Sequence, residues 1–190
     1  MPYVISPHRL DPSRSALLLV DLQEKLCPAI RNIEQVIERS RVLTEVSDLL
    51  NVPRAATVQY PQGLGALVEP IGGKYPEADE KLDFSAAVCR KSIDRWSSEG
   101  RDQILIVGIE THICILQTAL DLAAEGKQPH VIVDAVSARN LLDHQTGLER
   151  MAACGVGLVS LESVLFEWLG SSRHESFRAI SGMVKNLGRE

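Results

Sequence analysis

The residues from Gln103 to Gly126 constrain the fold more than any other part of this chain. They begin with an apolar run, Ile104 to Val107, which ends at Gly108 and is typical of a strand buried on both faces of a parallel sheet. Apolar residues then recur at helical spacing as far as Gly126, which predicts a helix entered directly from the strand. Strands that lead into helices are the building units of parallel α/β proteins, so the stretch predicts that fold class.

A cysteine lies at the junction of this strand and helix. We expect Thr111 to cap the helix and Cys114 to fall in its first turn, where free backbone N–H groups and the helix dipole favour a thiolate. A cysteine at the carboxyl edge of a parallel sheet is a plausible nucleophile. Because lone cysteines are usually small buried hydrophobic residues, this stretch alone leaves both interpretations open.

The rest of the chain alternates strands with helices and shows no linker or repeat. The residues from Lys81 to Ser85 are expected to close a loop before a short strand. Together the elements predict a three-layer α/β/α fold in which a doubly wound, mainly parallel, six-stranded sheet forms a single Rossmann-like domain over residues 1–190. The other predicted strands are 15–20, 54–58, 129–134 and 155–160; the other predicted helices are 32–50, 89–99, 143–154 with Leu148, Met151 and Ala152 inward, 161–169 and 176–187.

Composition excludes several classes of function. The net charge of −5 and the lack of a basic cluster disfavour a nucleic-acid partner. The longest apolar runs are too short to span a bilayer, and residues 1–15 carry no apolar segment typical of a secretory signal. No cysteine pair has C-x-x-C spacing, which favours reduced thiols and a cytoplasmic location. The four cysteines are Cys27, Cys89, Cys114 and Cys154.

Three chemically active residues are predicted at one edge of the sheet. Asp21 follows the first strand, Cys114 follows the central strand, and Lys81 is placed on a loop between them. Since chemistry in such folds gathers outside the carboxyl ends of the strands, the three side chains can meet. The alternatives are a helix cap for Asp21 and a solvated charge for Lys81.

Separated motifs in the chain resemble the isochorismatase-like cysteine hydrolase superfamily. Three of them, in chain order, are Leu17-Leu-Leu-Val-Asp21-Leu-Gln, Lys81-x-x-Phe84-Ser85 and Gly108-Ile-Glu-Thr-His-Ile-Cys114. Within the superfamily the chain is most similar to the isochorismatase domain-containing proteins, whose substrates are largely unassigned. That likeness is carried by Gln59-Tyr-Pro-x-Gly-Leu-Gly65, Ser137-x-Arg139 and Leu148-Glu-Arg-Met151.

The resemblance implies an isochorismatase-like hydrolase fold and a catalytic triad of Asp21, Lys81 and Cys114. It implies hydrolysis of a small amide or related acyl substrate through a thioester, with a thiol pKa below that of free cysteine. The oxyanion would be held by the backbone N–H groups of Glu110 and Cys114, with a cis peptide between Ile109 and Glu110.

Substrate contacts and assembly are also implied by the resemblance. Gln23, Tyr60, Phe84 and His112 are expected to line the pocket for a small-molecule substrate. Relatives commonly associate, so a homo-oligomer is expected. Three of the four predicted pocket residues have an alternative role. Tyr60 and Phe84 could belong to a small satellite core, and His112 could act as a general base.

Departures from the superfamily pattern reduce the number of reactions expected of this chain. Nicotinamidases in the superfamily hold a metal through an Asp-x-His pair after the second strand, where this chain has Thr57 to Tyr60. There is no histidine between His8 and His112, so we expect neither a metal nor another cofactor. Isochorismatases themselves act on a vinyl ether and can lack the cysteine, so Cys114 favours C–N bond hydrolysis.

Two other classes of function compete with a hydrolase. One is a non-catalytic binding or scaffold protein with the same fold, which the intact triad disfavours. The other is a redox-reactive thiol protein, which is disfavoured because no resolving cysteine is evident near Cys114. Cys27 lies six residues after Asp21 and is the additional thiol of most interest, whereas Asp134 is predicted to be structural.

Overall fold

One six-stranded parallel sheet forms the centre of the computed structural model, which describes residues 3–187. Its strand order is β3-β2-β1-β4-β5-β6, so the order reverses between β1 and β4. This confirms the predicted doubly wound α/β fold. The strands are β1 (Ser15–Val20), β2 (Arg54–Gln59), β3 (Asp79–Lys81), β4 (Gln103–Ile109), β5 (Gln128–Ser137) and β6 (Gly157–Val159).

Helices cover both faces of the sheet. Alternate side chains of β1 point to opposite faces: Leu17 and Leu19 join the core formed with α1, α6 and α7, whereas Ala16 and Leu18 join the core formed with α3, α4 and α5. Those four β1 residues are almost completely inaccessible to solvent, as a strand covered on both faces requires. The helices are α1 (Ile33–Leu49), α2 (Pro61–Leu64), α3 (Arg90–Ser98), α4 (Leu116–Ala124), α5 (Leu141–Ala153), α6 (Leu161–Leu169) and α7 (Phe177–Asn186).

Two local predictions were wrong. The third strand precedes the loop instead of following Ser85: Lys81 is its last residue, and a 3₁₀ turn, Ala86–Val88, follows. A three-residue strand carries too few residues for an apolar alternation to be visible in the sequence. In α5, Met151 is buried but Ala152 is exposed, because adjacent helical residues point about 100° apart.

Gly108 brings the ends of β1 and β4 close together. Its φ is +118°, and a Cβ at this position would lie 2.0 Å from the carbonyl oxygen of Val20. The register of β4 against β5 shifts between Ile106 and Gly108. Only glycine fits such an approach without displacing backbone, so Gly108 determines how closely the two halves of the sheet meet at the carboxyl edge.

Within residues 3–187, no helix is long and apolar enough to cross a bilayer. The domain prediction extends over residues 1, 2 and 188–190, which lie outside the described residues.

Candidate active site

The parallel register of β1, β2 and β3 brings Asp21 and Lys81 into contact. Val20 pairs with Thr57, and Gln59 pairs with Lys81, so β2 separates the acid and the amine by one strand. Lys81 Nζ lies 2.6 Å from Asp21 Oδ2, and the two side chains are 0% and 1% exposed. The alternative of a solvated lysine on a loop is therefore wrong.

Lys81 has more acceptors than its ammonium group has hydrogens. Besides Asp21, Nζ lies 2.7 Å from Oε1 of Gln59, 3.3 Å from the carbonyl oxygen of Asp83 and 3.2 Å from that of Phe84. Because four oxygens surround three N–H bonds, this environment stabilises a charged amine without solvent.

Asp21 leaves β1 in a left-handed conformation, with φ 55°. Its Oδ2 faces Lys81, and its Oδ1 accepts a 2.8 Å hydrogen bond from the hydroxyl of Thr57. The alternative of a helix cap is wrong, since the residue preceding α1 is Asn32. Both carboxylate oxygens are thus engaged inside the protein.

Gln23 and Gln59 join the loop after β1 to the end of β2. The side-chain amide of Gln23 accepts from the backbone N–H of Gln59 at 2.7 Å and donates to its carbonyl oxygen at 3.1 Å and to that of Gly65 at 2.8 Å. The prediction that Gln23 lines the pocket is wrong, because it has no surface accessible to solvent and its amide is consumed by backbone groups.

Thr57 and Gln59 are site residues that were not predicted from the sequence. In the sequence these residues were noted only because they occupy the positions of the nicotinamidase metal ligands. Their spacing of two residues on a strand was the available signal, because it places both side chains on one face of β2.

Cys114 lies in a π turn, Thr111–Ile115, that precedes α4. The prediction that Thr111 caps the helix was wrong, since its buried hydroxyl contacts Nδ1 of His144 on α5 at 2.9 Å. The motif was mistaken for a helix start because Thr-x-x-Cys has the composition of an ordinary N-terminal turn. The turn is instead tied to α5, and this contact fixes the position of Cys114 relative to that helix.

The Cys114 thiol is close to both charged residues. It retains 8% of its accessible surface. Burial, followed by the negative charge of Asp21, raises the thiol pKa to about 12; a hydrogen bond to Asp21 adds to the increase, while the charge of Lys81 and the backbone of Glu110 oppose it. The expectation of a pKa below that of free cysteine was wrong in direction. Burial and the charge of Asp21 therefore favour a resting thiol over a thiolate.

The backbone before Cys114 turns sharply at Glu110. The peptide bond between Ile109 and Glu110 is cis. The side chain of Glu110 is 11% exposed, and its Oε2 accepts from the backbone N–H of Arg139 at 3.0 Å and from its Nε at 3.2 Å. Glu110 is therefore anchored to the loop between β5 and α5.

The other three predicted pocket residues all retain exposed surface. Tyr60 is 51% exposed and Phe84 is 54% exposed, so the alternative of a satellite core is wrong for both. His112 Nε2 lies 3.9 Å from Oδ2 of Asp143, whereas its buried Nδ1 contacts no hydrogen-bonding group within residues 3–187.

The other cysteines differ in exposure and in the charges that act on them. Cys27 is buried, and burial alone raises its thiol pKa to about 11. The pKa of Cys89 is also raised to about 11, chiefly by burial, but the charges of Asp79, Lys81 and Asp21 act on it as well. Of these two buried thiols, Cys89 is the one on which the charges of Lys81 and Asp21 act. Cys154, at the end of α5, is exposed.

Two further features bear on the sequence predictions. Asp134 was predicted to be structural; it pairs with Arg39 at 2.7 Å and accepts from the backbone N–H of Leu161 at 2.8 Å. Within the described part of the chain, no group of three or more His, Cys, Asp or Glu residues is placed to hold a metal ion.

The fold and these contacts define a doubly wound α/β protein with a buried acid–amine pair beside a cysteine-bearing turn at the carboxyl edge of its sheet. Residues 15–163 match the isochorismatase domain, and the chain belongs to the isochorismatase family. It therefore has the fold of the isochorismatase-family hydrolases.

Similar proteins cover nearly the whole chain. Mouse isochorismatase domain-containing protein 2A is 38% identical over 181 residues, which cover 93% of this chain and 85% of the mouse protein. The MAR1 ribonuclease from Caenorhabditis elegans is 32% identical, with a TM-score of 0.88 and coverage of 96% of this chain and 95% of that chain. YcaC from Pseudomonas aeruginosa, solved with hexane-2,5-diol and covalent acrylamide, is 26% identical, with a TM-score of 0.84 and coverage of 95% and 93%.

Proposed function

We propose that the protein is a metal-independent cysteine hydrolase that cleaves the C–N bond of a small amide, or a related acyl bond, through a thioester on Cys114. The observation that carries this proposal is the buried pair of Asp21 and Lys81, whose charges both act on the Cys114 thiol. A carboxylate in this position can move a proton from sulfur to a leaving group.

The first half of the reaction forms the thioester. As Sγ of Cys114 bonds to the substrate carbonyl carbon, the thiol proton passes to Asp21. The backbone N–H groups of Glu110 and Cys114 receive the oxyanion, and each such donor is worth about 10²–10³-fold in rate. The C–N bond then breaks, and Asp21 returns the proton to the departing amine nitrogen.

The second half releases the acid. Asp21 takes a proton from water as the water oxygen attacks the thioester carbonyl carbon. The C–S bond breaks, the proton returns to sulfur, and the carboxylic acid leaves. One water and one amide are consumed, and one acid and one amine are produced. Lys81 keeps its hydrogens throughout, since all of them are directed at fixed oxygens.

The raised thiol pKa supports a base-assisted attack instead of a preformed thiolate. An ion pair between Lys81 and a thiolate would need the lysine charge to outweigh burial and the charge of Asp21, but the balance lies the other way. In this proposal proton transfer accompanies attack, and Asp21 is the carboxylate whose charge acts on the thiol.

Hydrolysis of a panel of small amides tests the proposal. Ammonia or amine release would be measured for the chain with Cys154→Ser, which removes the exposed thiol, and for the same chain with Cys114→Ala or Asp21→Asn. We expect turnover of at least one amide and loss of about 10³-fold or more in both variants. Turnover that survives Cys114→Ala would refute the cysteine mechanism.

The same variants separate the rival functions. The C. elegans relative is described as a ribonuclease, so a labelled RNA is the first rival substrate; its cleavage without amide turnover would replace the proposal. Consumption of peroxide without hydrolysis would favour the redox-reactive thiol. Tight ligand binding with no turnover of any substrate would favour a binding or scaffold protein.

Three further features belong to this proposal. Tyr60, Phe84 and His112 contact the small-molecule substrate, which accounts for half-exposed aromatic rings beside the buried pair. The chain forms a homo-oligomer, which light scattering would detect. It works in the cytoplasm, where its four free cysteines remain reduced.

A further inference from the structure

Thr57 has a role in the proposed reaction that none of the catalytic assignments includes. We propose that Thr57 is a positioning residue: its hydroxyl fixes the rotation of the Asp21 carboxylate so that an oxygen is presented to the Cys114 thiol. The inference rests on the proposed function and deepens it by assigning how the base is oriented.

The geometry leaves the Thr57 hydroxyl little other purpose. Thr57 is completely buried and its Oγ1 donates to Oδ1 of Asp21 at 2.8 Å. Most isolated threonines in strands serve β propensity or packing, but a buried hydroxyl directed at a buried carboxylate forms a charge-assisted bond with a defined direction. The parallel pairing of Val20 with Thr57 places this hydroxyl beside the residue that follows Val20.

Two fixed contacts on different oxygens determine the carboxylate plane. Lys81 holds Oδ2 at 2.6 Å and Thr57 holds Oδ1 at 2.8 Å. One contact alone would let the carboxylate rotate about its Cβ–Cγ bond, because that torsion is soft. With both in place, the remaining lone pair directions are fixed, and the thiol meets an acceptor of constant orientation.

The Lys81 contact is itself held by β2. Gln59 lies two residues beyond Thr57 on the same face, accepts from Lys81 at 2.7 Å and donates through Nε2 to the carbonyl oxygen of Leu82 at 2.7 Å. The amide of Gln59 therefore has a defined orientation. One face of β2, which supplies no reacting group, arranges the acid and the amine.

Alkylation of Cys114 by iodoacetamide measures this role without a known substrate. In the Cys154→Ser chain, the rate at Cys114 would be followed across pH by peptide mass mapping. Without the Thr57 hydrogen bond the Asp21 carboxylate can rotate away from the thiol, so we expect Thr57→Val to raise alkylation at a fixed pH about three- to tenfold, the equivalent of one hydrogen bond. Thr57→Ser keeps a hydroxyl and restores the parent rate.

A double-mutant cycle distinguishes positioning from a general loss of structure. If Thr57 acts through Asp21, Thr57→Val changes the alkylation rate less than twofold once Asp21→Asn is present. Equal effects of Thr57→Val with and without Asp21→Asn would overturn the proposal. Thr57→Ala provides a second variant in case valine prevents folding, with circular dichroism as the check.

Thr44→Val is the matched control. Thr44 is also a buried threonine, but its hydroxyl contacts the carbonyl oxygen of Ser40 and the hydroxyl of Tyr75. The substitution should lower stability by a similar amount and leave alkylation of Cys114 unchanged. A Thr44→Val effect as large as that of Thr57→Val contradicts the positioning role.

The two proposals fail in different ways. If no amide is hydrolysed but the cycle shows coupling, Thr57 orients Asp21 in a protein of another activity. If amides are hydrolysed and the cycle is additive, the hydrolase proposal stands and the positioning role falls. In an active hydrolase, Thr57→Val should also lower kcat more than KM while alkylation rises, and a merely structural residue would not move the two readouts in opposite directions.

Discussion

The acid–amine side of the site and the sulfur side are built in different ways. Asp21 and Lys81 are held by each other, by the side chains of Thr57 and Gln59 on β2, and by carbonyl oxygens of the loop after β3. Cys114 is held by backbone geometry, in a π turn after a cis peptide bond, with contacts to α5 at its edge. The first region is saturated with hydrogen bonds, whereas the second contains a buried His112 nitrogen with no partner among the described residues.

This difference indicates how the two regions divide the proposed reaction. A carboxylate must keep its charge and orientation in a buried place, which requires several fixed donors around it. A nucleophilic sulfur must approach a substrate carbonyl and so needs an accessible surface, which Cys114 retains at 8%. Full hydrogen bonding on the acid–amine side and a small remaining accessible surface on the sulfur side are what the proposed chemistry demands.

A substitution at Gly108, where the strands that carry the two regions meet, should have the largest effect on the free energy of unfolding. In Gly108→Ala the added Cβ would lie 2.0 Å from the carbonyl oxygen of Val20. We expect a loss of about 4 kcal/mol or more in the free energy of unfolding, since backbone would have to move. Gly126→Ala is the matched control, because it also has a positive φ but meets no atom within 4 Å. Similar urea midpoints for the two variants would contradict the close approach.

Removing the amine tests the saturated side. Lys81→Met leaves the Asp21 carboxylate buried without its cation, and we expect a loss of about 3–5 kcal/mol in urea unfolding at neutral pH. Adding Asp21→Asn to this variant should recover part of the loss, because the unpaired charge is then gone. Lys91→Met is the control: its pair with Glu77 is 78% and 83% exposed, so almost no change is expected. A small loss in Lys81→Met would mean that the pair is not closed to solvent.

Low pH should also lower the free energy of unfolding through the sulfur side of the site, by less than either substitution above. Burial lowers the pKa of His144, which contacts Thr111 in the π turn. Since its pKa is lower in the folded than in the unfolded state, stability is present above the ordinary imidazole pKa and is lost as pH falls below it. His144→Gln should reduce that acid dependence in urea titrations at several pH values. An unchanged pH dependence would show that His144 titrates normally.

Much of the fold could be predicted because long buried strands carry uninterrupted apolar runs, such as Ile104 to Val107. The strand ending at Lys81 could not, because three polar residues at a sheet edge carry no apolar period. Asp21, Lys81 and Cys114 were singled out by motif resemblance, but the direction of the Cys114 pKa depends on burial and on the distance to Asp21. Thr57 and Gln59 were missed because a two-residue spacing is common in strands, and only the pairing of β2 with β1 and β3 places them beside Asp21 and Lys81.

The central claim is that Asp21, not Lys81, controls the proton of the Cys114 sulfur. Alkylation of Cys114 across pH, in the Cys154→Ser chain with and without Asp21→Asn, tests it most directly. We predict a parent thiol that is largely protonated well above pH 9. With Asp21→Asn, the Cys114 thiol should alkylate at least about tenfold faster at pH 8 while amide turnover is lost. A parent thiol that is already ionised near neutral pH, with an alkylation rate unchanged by Asp21→Asn, would contradict the claim.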